Sequence, residues 1–305
     1  MNSSRFPSMT RLPRALARAV LACATVGAFA LGVAGPSQAA TTQTLGTVGG
    51  LKYVRADGTL PQTVGTRTGD FVQAYCGSVW TATGAGVAVG GDPSVSFLSA
   101  TDVGKYGVYG GGWHALQPDQ KLSVYGICAK TATVTADTRY TNFPTPPSSV
   151  GFTTGCAAGH VLGGGVEGPY LDSHVGASMP VDGPDADKVP GDGWRGSSAV
   201  LSGSSPIMLI HYVCGTGPTP KYRSTKMQVL PGEKGTLKVG CRNSQHVTGG
   251  GALVSGPVSD GHTSASRPID GPDADHIPDD GWLATVSNDS GGSAKTAKVT
   301  AICVG

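Results

Sequence analysis

Past the first forty residues, apolar and polar positions alternate in short runs, such as Phe71-Val72-Gln73-Ala74-Tyr75, Ser94-Val95-Ser96-Phe97-Leu98 and Leu122-Ser123-Val124-Tyr125-Gly126-Ile127. A period of two marks strands with one buried face, and clusters of Gly, Pro, Asp and Ser separate the runs as turns. No window there carries the three-to-four spacing of a helical stripe. The pattern therefore predicts an all-β protein of many short strands, and 48 glycines among abundant Thr, Ser and Val agree with it.

The runs recur in a fixed order, which divides the chain into three homologous units. Unit one has Cys76, Gly84-Ala85-Gly86, Gly112-Trp113 and Tyr125-Gly126-Ile127-Cys128. Unit two has Cys156, Gly163-Gly164-Gly165, Gly193-Trp194 and His211-Tyr212-Val213-Cys214, and unit three has Cys241, Gly249-Gly250-Gly251, Gly281-Trp282 and Thr300-Ala301-Ile302-Cys303. The first cysteine precedes the tryptophan by 37, 38 and 41 residues, and the tryptophan precedes the second cysteine by 15, 20 and 21. A basic-aromatic pair (Lys52-Tyr53, Arg139-Tyr140, Lys221-Tyr222) opens each unit and sets the boundaries at 41–130, 131–217 and 218–305. Matching positions should meet in matching ways, so the expected disulfides are Cys76–Cys128, Cys156–Cys214 and Cys241–Cys303. Trp113, Trp194 and Trp282 are expected in equivalent buried places beside the glycine triplets, where glycine marks a bulge or the close approach of a ring. The units could close around a pseudo-threefold axis or lie in a row, and the pattern leaves that choice open.

Residues 1–40 differ from the rest: Arg5, Arg11, Arg14 and Arg18 lead into an apolar stretch, Ala19–Val33, that ends in Ser37-Gln38-Ala39-Ala40. This is the pattern of a secretory signal peptide, too short for a membrane span. Its removal takes four of the 22 basic residues and no acid, leaving 18 against 20, so the precursor's pI of 8.1 carries no nucleic-acid signal. It also takes Cys23, and the even six that remain suit disulfides in an oxidising, extracellular compartment.

Two loops repeat almost letter for letter, DGPDADKVPGDGW from Asp182 and DGPDADHIPDDGW from Asp270. Asp182, Asp185, Asp187 and Asp192, with Asp270, Asp273, Asp275 and Asp280, crowd carboxylates that repel unless a cation answers them. Calcium is the natural cation outside the cell, giving two expected metal sites and none in unit one. The competing reading is a solvated turn whose aspartates cap backbone amides.

The order Cys, Gly-Gly-Gly, Ser-x-Pro (Ser178–Pro180, Ser266–Pro268), Gly-Trp and a last strand ending Ile/Val-Cys resembles repeats in secreted actinobacterial proteins of unassigned function. The resemblance covers units two and three well and unit one in part, since Ser96–Gly112 lacks both Ser-x-Pro and the acidic loop. It implies an extracellular bacterial β-repeat protein and brings no catalytic residue with it.

Enzyme motifs are absent: there is no H-E-x-x-H, G-x-S-x-G or C-x-x-C, and Gly163–Gly168 matches G-x-G-x-x-G only to meet Pro169 where a helix should open. His160 and His246 precede their triplets as packed or rim histidines. The expected function is a secreted, non-enzymatic binding or structural protein acting on a glycan, the cell envelope or an extracellular protein, because repetition multiplies weak contacts. The alternatives are an extracellular hydrolase with an unrecognised site and a secreted inhibitor or toxin.

Overall fold

The computed structural model describes residues 40–60, 68–115, 119–130, 134–169, 173–183, 189–201, 207–217, 219–242, 244–273 and 275–305. Residues 1–39 of the expected signal segment, Asp185 and Asp187 lie outside them. Unit one supplies β1 (Gln43–Val48), β2 (Leu51–Leu60), β3 (Thr68–Tyr75), β4 (Thr81–Val89), β5 (Ser96–Gly104), β6 (Gly107–His114) and β7 (Gln120–Ala129). Unit two supplies β8 (Val134–Asn142), β9 (Ser148–Gly155), β10 (His160–Glu167), β11 (Ser173–Val181), β12 (Gly193–Val200) and β13 (Ile207–Gly215). Unit three supplies β14 (Lys221–Val229), β15 (Lys234–Gly240), β16 (His246–Val254), β17 (Gly261–Ile269), β18 (Gly281–Asn288) and β19 (Lys295–Val304). The fold is all-β, as the alternating pattern requires.

Each unit divides its strands between two sheets, and each sheet is shared by two units. The first sheet runs β1-β2-β7-β4-β17-β18-β15, the second β3-β6-β5-β10-β13-β8 and the third β14-β19-β16-β11-β12-β9. Strands of different units meet at β4–β17, β5–β10 and β11–β16. Unit one joins unit two, two joins three and three returns to one, so the arrangement is closed around a pseudo-threefold axis. Residues such as Leu60, Leu122, Met208, Ile210 and Ile302 turn inward to fill the space the sheets enclose.

The glycine triplet is what closure demands. A Cβ on the first glycine would lie 3.0 Å or less from backbone of the next unit: Gly84 against Thr248 and Gly249, Gly163 against Thr83 and Gly84, Gly249 against Leu162 and Gly163. These three backbones touch in a cycle at the axis, and the register shift expected of a bulge falls beside each of them. The second glycine lies under an indole, Gly164 under Trp194 and Gly250 under Trp282. The third, at the seam between units, leaves room for the neighbouring strand: Gly86 for Arg267, Gly165 for Thr101 and Gly251 for Ser178.

Trp113 departs from its expected place. Trp194 and Trp282 are equivalent, each donating its indole N–H to a serine sixteen residues earlier, Ser178 Oγ at 3.2 Å and Ser266 Oγ at 2.9 Å. Trp113 is equally buried but stacks on Phe97 at 3.9 Å and donates to the Ser173 carbonyl at 2.6 Å. The residue at the tryptophan position of unit one is Val108, paired with Ala74 as Trp194 is with Thr154 and Trp282 with Val239. The smaller side chain goes with Ala85 in place of the second glycine. The opening pairs diverge likewise. Tyr53 and Tyr222 are equivalent and reach into neighbouring units, their hydroxyls donating to the Val247 and Val161 carbonyls at 2.7 and 2.6 Å. Tyr140 instead points to solvent.

The three disulfides pair as expected, across 52, 58 and 62 residues. Each one ties two sheets. Cys76 follows β3 of the second sheet and bonds Cys128 on β7 of the first; Cys156 follows β9 of the third and bonds Cys214 on β13 of the second; Cys241 follows β15 of the first and bonds Cys303 on β19 of the third. Every corner of the closed arrangement is thus stapled once.

Candidate binding face

Because the scaffold repeats, one outward row crosses the middle of each sheet at equivalent register, and the three rows can be compared position by position. On the first sheet it reads Arg55, Tyr125, Gly86, Arg267, Leu283, Lys238. On the third it reads Ser224, Thr300, Gly251, Met179, Arg195, Thr153. On the second it reads Thr138, His211, Gly165, Asp102, Tyr109, Gln73. The backbone is the same and the chemistry is not. The first row sandwiches Tyr125 between the guanidinium groups of Arg55 and Arg267, 5.2 and 5.6 Å from the ring centre. The third is neutral apart from Arg195. The second gathers an acid, an imidazole and a phenol.

On that second sheet Gly165 has no side chain, so Asp102 of unit one and His211 of unit two meet across it, with Asp102 Oδ1 3.0 Å from His211 Nδ1. Glu167, two residues along β10 and therefore on the same face, brings Oε2 to 3.6 Å from His211 Nε2. Thr138 Oγ1 lies 3.1 Å from Nδ1. The imidazole is largely enclosed, its side chain 12% exposed. Burial alone would lower its pKa, but the two carboxylates outweigh that and push it up to about 9. A folded value above the unfolded one means that this group stabilises the fold fully below about pH 6.5, with the gain lost as pH rises through about 9. In chelator-treated protein the melting temperature should therefore fall across that window, and His211→Gln should remove this part of the slope; an unchanged slope would show that the imidazole is not held between the acids.

Aromatic residues flank the cluster. Tyr75, Tyr109 and Tyr140 are 53%, 41% and 60% exposed on this face, and the Phe71 ring lies over Gly111. Tyr106 continues the patch at the β5–β6 turn, 49% exposed with the Lys105 ammonium 4.9 Å from its ring centre. A cleft of about 270 Å³ opens elsewhere, lined by Asp137, Arg139, Tyr212 and Thr216. Its polar groups already satisfy one another, with Tyr212 donating to Asp137 at 2.9 Å and Arg139 paired to the same carboxylate at 2.9 Å.

The described parts of the acidic loops behave largely as turns. Asp192 Oδ2 accepts from the Gly183 amide at 2.8 Å, and Asp280 Oδ2 from the Gly271 amide at 2.6 Å. Asp273 accepts from the Asp275 amide and Asp275 from the Ile277 amide, which are the caps expected of aspartates in tight turns. Asp270, Asp273 and Asp275 still bring one carboxylate oxygen each within 4.8 Å of one another, all exposed, whereas Asp280 is committed to its backbone amide. The fifth acid of that loop, Asp279, is buried against His246, which makes the latter the rim histidine its position implied. The Asp279 carboxyl is pushed above the ordinary range chiefly by burial.

No motif announced Asp102, Glu167 or His211. Their signal is a departure from the repeat, visible once the units are superposed: His211 where the others carry Tyr125 and Thr300, and Asp102 where they carry Met179 and Arg267. No protein-family model matches the chain, and no curated protein is significantly similar to it.

Proposed function

We propose that the protein is an exported glycan-binding protein whose ligand lies across the outer face of the β3-β6-β5-β10-β13-β8 sheet. The observation that carries this reading is the coincidence, in one register row and its neighbours, of Tyr75 and Tyr109 with Asp102, Glu167 and His211 on a floor opened by glycines. Tyrosine rings offer flat apolar surface to sugar C–H faces, with a hydroxyl at the wet edge, and fixed carboxylates accept from sugar hydroxyls. Export is supported by the signal-like leader and the three disulfides; among the described residues no helix is long and apolar enough to cross a membrane. Affinity electrophoresis against envelope and plant polysaccharides tests the reading. Tyr75→Ala with Tyr109→Ala should weaken retention about tenfold or more, the equivalent of ~1.4 kcal/mol, whereas Leu283→Ala, on the first sheet, should not. Equal retention by both variants would remove the glycan reading, and release of reducing sugar would favour a hydrolase.

A second proposal concerns calcium at Asp270, Asp273 and Asp275, supported by the closeness of their oxygens. Titration of chelator-treated protein should give a heat of binding that Asp273→Ala abolishes. No heat at millimolar calcium would leave the loop as a capped turn.

A further inference from the structure

We propose that Asp102, Glu167 and His211 form a site for a divalent transition-metal cation, of which zinc is the representative, at the seam between units one and two. The site does not depend on the glycan reading, since it would fill with no sugar present.

Three observations carry it. One ligand atom of each residue comes within 4.8 Å of the others, and the set combines an imidazole with two carboxylates, donors that suit zinc and its neighbours. The Glu167 Oε2 to His211 Nε2 separation of 3.6 Å is too long for a hydrogen bond. It is close to the roughly 3.4 Å between two ligands held about 2.1 Å from a tetrahedral metal. Finally, His211 Nε2 and Asp102 Oδ1 are buried with no hydrogen-bond partner, a costly condition that a cation between them would relieve. Asp102 Oδ1 touches Nδ1 at 3.0 Å without meeting its N–H in line, and Nδ1 is engaged by Thr138 Oγ1. That hydrogen bond fixes the ring and directs Nε2 toward Glu167, as partners of metal-bound histidines do.

The equivalent positions supply the contrast. Tyr125, Ala88 and Arg267 on the first sheet, and Thr300, Leu253 and Met179 on the third, contain no such donor set. One cation per chain is therefore expected here. Glu167 and Asp102 are about one quarter and one fifth exposed, so the fourth position opens outward, to water or to a donor atom of a bound ligand.

The experiment is titration of the chelator-treated, disulfide-intact chain with zinc at about pH 8, where the proton competes less for the imidazole, and with cobalt(II) as the spectroscopic probe. Wild type should take up one equivalent of zinc, and cobalt should give visible d–d absorption. Glu167→Gln, His211→Gln and Asp102→Asn should each weaken zinc binding about tenfold or more, at least what loss of a group that merely orients a ligand costs. Asp273→Ala should leave it unchanged, which separates this site from the acidic loop. Melting of the metal-free variants identifies any that fail to fold; Asp102→Asn and His211→Gln lie on different units, so either can decide alone. Less than one equivalent of zinc, or uptake that persists in a folded His211→Gln or Asp102→Asn chain, would overturn the proposal.

Discussion

Gly163→Val is expected to leave the protein largely unfolded at 37 °C, with a loss above ~4 kcal/mol, the range reached only when a packed site cannot relax. A side chain there would enter backbone of unit one, the Thr83 carbonyl and Gly84, which cannot swing aside as a flexible side chain would. Moving that strand would push on the other two contacts of the cycle, Gly84 on Thr248 and Gly249 on Leu162. The damage should therefore reach all three sheets. Gly217→Val is the control, because a side chain at Gly217 meets nothing within 4 Å; it should melt within a few degrees of wild type. Circular dichroism melts of the two variants decide the point, and a Gly163→Val protein that melts like wild type would show that the axis is not packed on backbone.

Cys156→Ala combined with Cys214→Ala should cost about 4 kcal/mol. The bond closes a loop of 58 residues, and the chain-entropy relation gives that magnitude for a loop of this length. For a chain of this size the loss corresponds to a fall of roughly 8–16 °C in melting temperature. The bond also ties β9 of the third sheet to β13 of the second, so both walls should loosen, and hydrogen exchange should quicken in both. Loss of protection confined to unit two would mean that the units are less interlocked than their shared sheets imply.

Strand content and disulfide pairing were legible because both are local or periodic: alternation reports one buried face, and cysteines recur at nearly constant spacing. The closure was less so. At the β5–β10 seam the paired register is as short as Glu167 with Ala100, and no residue type advertises it. The triplet pointed the right way, since glycine without a turn implies a close neighbour, but a sequence does not say whose backbone that neighbour is. The conspicuous Gly-Trp pair aligns Trp113 with Trp194 and Trp282 in the sequence alone. Its fifteen-residue distance to Cys128 was the discordant sign, and Val108, twenty residues before Cys128, restores the spacing. The outward row escaped for a different reason: a position free of core packing varies from unit to unit, so His211, Tyr125 and Thr300 do not look alike until the sheets align them. The acidic loop shows its charge in the sequence, while Asp192 and Asp280 use theirs on backbone amides.

The closed, strand-sharing assembly is the claim on which the axis, the seams and the binding face all rest, and differential scanning calorimetry of the intact, oxidised chain tests it most directly. Three units that share sheets in a cycle have no independent cores, so one endotherm is expected, with calorimetric and van't Hoff enthalpies that agree. Two or three resolved transitions, or a single endotherm whose van't Hoff enthalpy is near one third of the calorimetric value, would show the units melting independently and contradict it.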